Sequence, residues 1–77
     1  MFEKKVIDEI EDIFVTELGE CSSFILEQNL RELGLSRETF NRIDIDDFVS
    51  HLLRDYEKLI GSHAKLIEKE INNRFSE

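Results

Sequence analysis

DIDDFVSHLLRDYEKLIGSHA, residues 44–64, carries the plainest structural signal in the chain. Ile45, Phe48, Val49, Leu52, Leu53, Tyr56, Leu59 and Ile60 recur at helical spacing and fall on one arc, with polar groups elsewhere. The spacing predicts an amphipathic helix over 45–60. Asp44 stands where an N-cap belongs, and acids such as Asp47 in the first turn are favoured by the helix dipole. Gly61-Ser62 then breaks the pattern, either as a full turn or as a kink in one long helix. Ser62 is the expected cap of a last helix reaching Phe75, with Ala64, Ile67, Ile71 and Phe75 as its seam and Leu66 off it.

The N-terminal side reads the same way. Phe2, Val6, Ile7, Ile10, Ile13, Phe14 and Leu18 mark a first helix over 2–18, with Val15 alone on the polar side. A second helix follows over 22–33, capped by Ser22 or Ser23, with Ile25, Leu26, Leu30 and Leu33 on its stripe. Gly34 suits the left-handed stop, and Leu35 suits the hydrophobic contact that accompanies it. Ser36 opens a short connector turn anchored by Phe40.

Gly19 and Gly61 are 42 positions apart, and sliding the chain by that offset superimposes two patterns. Val6 falls on Phe48, Ile7 on Val49, Ile10 on Leu52, Phe14 on Tyr56 and Leu18 on Ile60. The steps LGECS and IGSHA coincide, and Phe24 falls on Leu66. The fold expected is all-α. One domain over 1–77 forms a four-helix bundle of two helix–Gly–helix repeats, about 2–33 and 44–75, joined by a short helical connector. Short loops make neighbours antiparallel, so both glycine turns should lie at one end of the bundle. The paired off-stripe residues Phe24 and Leu66, with Val15, form a candidate interaction surface.

Composition narrows the function classes. Eighteen acids against ten bases give a net charge of −8, which opposes nucleic-acid binding. A local patch of Arg37, Arg42, Arg54 and neighbouring lysines is the one route left to it. No apolar run suits a membrane span, and the N-terminus lacks the order of a signal peptide. A cytoplasmic location is the expectation, and a single cysteine fits a reducing compartment. Chains this short gain only about 3–5 kcal/mol from one core. No disulfide or zinc spacing supplements it, so a homodimer is expected.

Chemistry is thinly marked. Asp47, His51 and Asp55 stand at i, i+4, i+8 and are weak candidates for one metal ion. The same spacing describes a surface stripe in which Asp55 pairs with an exposed His51, and that is the preferred reading. Cys21 and His63 occupy equivalent repeat positions and form a weak redox or nucleophile pair with no third orienting group. Cys21 reads better as a small buried residue. IDIDDF lacks the glycine and distant glutamate of a calcium loop. No phosphate-binding glycine loop, nucleophile elbow or Glu-x-x-His pair is present. No cofactor is expected.

Length, acidity and helix count resemble the acyl carrier proteins, whose Asp-Ser-Leu motif carries a phosphopantetheine arm. Gly34-Leu35-Ser36-Arg37 is the nearest stretch. It lacks that Asp and the following Leu, leaving Ser36 a weak candidate for attachment and a better cap. The glycine step in each half, with LGLS between them, looks more like small all-helical domains of unassigned role in archaeal and bacterial signalling proteins. That resemblance implies an output or interaction role and carries over no catalytic residue. The resulting expectation is a non-enzymatic helical protein-interaction module that self-associates as a regulatory or adaptor domain. The alternatives are an acyl-carrier-like protein or a small ligand- or metal-sensing bundle.

Overall fold

The computed structural model describes residues 5–20 and 22–75. Four helices follow one another: α1 (Val6–Leu18), α2 (Ser22–Glu32), α3 (Ile45–Ile60) and α4 (His63–Phe75). A 3-10 turn, Arg42–Asp44, leads into α3. The described residues contain no strand. α1 packs on α2 and α4, and α3 packs on α4 and more lightly on α2. The chain is therefore the expected bundle of two helix–Gly–helix units.

Gly61 makes a full turn. α4 folds back along α3, and the radius of gyration is 11.6 Å. A single compact chain of this length has a radius near ~11–12 Å, which excludes an opened-out hairpin.

The repeat extends to backbone hydrogen bonds. Gly19 N–H donates to the Val15 carbonyl at 2.8 Å, and Gly61 N–H donates to the Glu57 carbonyl at 2.7 Å. Ser22 N–H donates to Gly19 O at 3.1 Å, and Ala64 N–H donates to Gly61 O at 3.2 Å. Each pair is related by the same 42-residue offset. Both glycines have positive φ, +91° and +62°, where a side chain would be strained.

α2 ends differently. Leu35 N–H bonds to Leu30 O (2.9 Å) and Gly34 N–H to Arg31 O (3.1 Å), the two bonds of a Schellman stop around a left-handed Gly34. Leu35 is half-buried against the core, and the connector then swings Phe40 inward.

The core centres on Phe48. Its ring lies 5.9 Å from Phe14 and 5.6 Å, edge-on, from Phe40. Ile7, Ile10, Leu26, Leu52, Ile67 and Ile71 fill the space around it.

Three local expectations are corrected. Asp44 makes no capping bond to α3, because its carboxylate accepts from Asn41 N–H at 2.9 Å and closes the 3-10 turn. Ser22 lies buried at the start of α2 with no hydrogen-bond partner for its hydroxyl among the described residues. Leu59, assigned to the buried arc of α3, is 68% exposed. It sits on the last turn of α3, at the glycine-turn end of the bundle.

Candidate functional site

Both glycine turns meet at one end of the bundle. The end of α1, the start of α2, the end of α3 and the start of α4 there enclose a shallow concavity of roughly 430 Å³. Leu18, Phe24, Ile25, Leu59, Ile60 and His63 line it, together with Ser22. Phe24 is 73% exposed and stands at the rim with Leu59. Among the described residues no acidic side chain lines this surface, although the chain carries a net charge of −8. Val15 and Leu66 are also exposed, but neither lines the concavity. Of the three residues expected to form an interaction surface, Phe24 alone belongs to this mouth, and Leu59 joins it.

His63 is exposed on the same mouth. Its expected companion Cys21 lies outside the described residues. Ser36 is exposed, and its hydroxyl accepts from Thr39 N–H at 3.3 Å. That bond makes Ser36 the cap of the connector turn.

The i, i+4, i+8 stripe on α3 divides. His51 is buried, against the expectation of an exposed ring, and its Nε2 lies 2.7 Å from Asp55 Oδ2. The third carboxylate near it belongs to α2: Glu32 Oε1 is 3.7 Å from Nε2. Asp47 is exposed and takes no part in this cluster.

His51 is buried because α2 supplies a polar partner for it. Asn29, fully buried, donates from Nδ2 to the Phe48 carbonyl at 3.1 Å and turns Oδ1 toward His51 Nδ1. Tyr56 closes the outer side, its hydroxyl donating to Glu32 Oε1 at 2.8 Å. Burial first, and then this bond to a carboxylate, push the phenol up to about 12.

Asn29 and Glu32 were missed at the level of sequence. A signal for Asn29 exists in the repeat. The 42-residue offset places it on Ile71, so one half of the fold uses an amide where the other uses a methyl-rich core side chain.

A second polar cluster covers the α1–α2 face. Arg37, in the connector, reaches Asp8 Oδ1 and Glu11 Oε1 at 2.9 Å and Glu27 Oε1 at 3.0 Å. Burial alone would lower its pKa, but the bonds to Glu11, Glu27 and Asp8 outweigh it and hold the guanidinium above its ordinary value. Arg54 bonds Asp55 at 3.3 Å, and the Arg42 guanidinium lies 5.7 Å from the Phe75 ring centre. Arg37 and Arg54, two of the basic groups expected to form a phosphate-binding patch, are thus engaged with carboxylates.

No helix among the described residues is long and apolar enough to cross a membrane. Comparison with known proteins finds no matching family, no matching curated protein and no matching solved structure.

Proposed function

We propose that this chain is a non-enzymatic interaction module that pairs with a second copy of itself, in a regulatory or adaptor role, through the apolar mouth at the glycine-turn end. The carrying observation is the juxtaposition of a protruding Phe24 and an adjacent uncharged concavity. A two-fold interface is self-complementary, so each protomer must offer both a knob and a hole on one patch. Phe24 and the Leu18–Ile25–Leu59–Ile60 hollow satisfy that requirement.

Electrostatics favours this face for a second copy. Two chains of charge −8 repel wherever carboxylates face one another. Among the described residues the mouth presents none in its lining. Small size adds a motive, since a core of this scale gives only about 3–5 kcal/mol and an apolar interface supplements it.

Light scattering across a dilution series tests the reading. A mass near twice 9.1 kDa is expected. Phe24→Asp with Leu59→Asp is expected to give a helical monomer, while Val15→Asp with Leu66→Asp leaves the dimer in place. A parent chain that is monomeric at high concentration would refute self-association. A dimer lost only in the second pair would move the interface to the faces of α1 and α4.

A further inference from the structure

The geometry points to a divalent transition-metal site, of the zinc or cobalt class, formed by Glu32, His51 and Asp55 at the α2–α3 seam. The argument starts from the amide of Asn29. A carbonyl can only accept, so the Phe48 carbonyl fixes the Asn29 NH₂ on its own side. Asn29 Oδ1 is then the atom facing His51 Nδ1, and being an acceptor it requires the ring proton on Nδ1. The neutral ring must therefore direct the lone pair of Nε2 outward. A buried imidazole whose inner nitrogen is held by an amide oxygen is the arrangement by which proteins set a metal-binding tautomer.

Two carboxylate oxygens await that lone pair. Asp55 Oδ2 lies 2.7 Å and Glu32 Oε1 3.7 Å from Nε2, and the three ligand atoms all fall within 4.8 Å of one another. Tetrahedral zinc with bonds of about 2.0–2.1 Å separates neighbouring ligand atoms by about 3.3–3.4 Å. The two distances bracket that edge, so a small outward turn of Asp55 and an inward one of Glu32 admit the ion. Each carboxylate is itself oriented. Tyr56 and Gln28 donate to the two oxygens of Glu32, at 2.8 and 3.3 Å, and Arg54 Nε donates to Asp55 Oδ1 at 3.3 Å.

Charge and openness agree with a dication. Two carboxylates and a neutral imidazole balance two positive charges. The carboxylate side chains are 40% and 44% exposed, which leaves a water-facing position for the fourth ligand. Nor does the core demand this polar pair. The repeat places Asn29 on Ile71, and Ile71 is fully buried in the other half without any such partner.

The test is titration of the chelator-treated full chain with cobalt(II) and with zinc(II), carried out on a Cys21→Ser background so that the thiol cannot contribute. One cobalt per chain is expected, with the intense visible absorption of a four-coordinate ion, displaced by zinc. Glu32→Gln and Asp55→Asn, both at exposed positions, should keep the helical signal and weaken binding at least about tenfold each. Asp47→Asn and His63→Ala should leave binding unchanged. Absence of binding at millimolar metal overturns the proposal and leaves Glu32, His51 and Asp55 as a structural polar cluster. Binding that survives both carboxylate changes, or is lost with His63, overturns it as well.

Discussion

The bundle holds two clusters in which one nitrogen base meets several carboxylates, and they are built to opposite ends. Arg37 meets Asp8, Glu11 and Glu27 on the α1–α2 face. His51 meets Asp55 and Glu32 at the α2–α3 seam. A guanidinium is always charged and carries five donors, so the Arg37 cluster is complete in itself. It ties the connector to the two helices of the first repeat, and its guanidinium, a donor only, offers no lone pair to a ligand. An imidazole has one nitrogen too many for such closure. With Nδ1 committed to Asn29, Nε2 remains an atom that holds either a proton or a metal. Similar composition therefore yields a clasp in one place and a candidate binding site in the other. The difference lies in a single buried amide.

The largest effect that separates the two clusters belongs to that amide. Asn29→Ala strands the His51 N–H in the core and opens a small void. An unsatisfied buried donor costs about 1–3 kcal/mol, and the void adds to it, so a loss of about 2–3 kcal/mol is expected in urea unfolding. Asn29→Leu with His51→Leu removes donor and acceptor together. It should return to within about 1 kcal/mol of the parent, since paired removal is nearly neutral. A double variant as unstable as the single one would mean that the polar pair itself holds α2 to α3.

Arg37→Met should act more weakly. The ion pairs are partly solvated, and such pairs contribute about 1 kcal/mol or less, even where several share one guanidinium. High salt should shrink the difference further. Unfolding at low and high ionic strength measures it. A loss larger than that of Asn29→Ala, unaltered by salt, would break the contrast between a surface clasp and a buried determinant.

Helix periodicity is a property of near neighbours, and it made the bundle readable. The four helices, the stop at Gly34 and the equivalence of Gly19 with Gly61 all follow from spacing along the chain. The candidate metal site was half readable for the same reason. His51 and Asp55 are one helical turn apart, so their approach is local. Glu32 and Asn29 come from another helix, and periodicity says nothing about which turn of α2 lies beside which turn of α3. Asp47 shares the stripe by arithmetic, but it stands exposed and outside the cluster. The apolar mouth failed to show for a related reason. Leu59 keeps the period of the buried arc, yet at the last turn of α3 its side chain stands in solvent at the rim of the mouth. The Arg37 clasp joins residues 26 and 29 positions apart and leaves no trace in the sequence pattern.

The smallest effect is spectroscopic, and it tests the outer wall of the His51 cluster. Tyr56 is the chain's single tyrosine, so its phenolate absorbance reports one site. The midpoint is expected near about 12, raised from 10.0, first by burial and then by Glu32. The unfolded chain releases this proton first. Between pH 10 and about 12 the folded state therefore binds more protons, and the contribution of Tyr56 to stability falls as pH rises. Below the unfolded value that contribution is fully present. Glu32→Gln should draw the midpoint down without returning it to 10.0, because burial, the larger cause, remains. Helicity followed in the same titration separates local ionisation from unfolding. A midpoint near 10.0 in a chain still helical would mean that Tyr56 is neither desolvated nor bonded to Glu32. The carboxylate facing His51 would then lack the donor that holds it in place, and the two clusters would differ less than their geometry indicates.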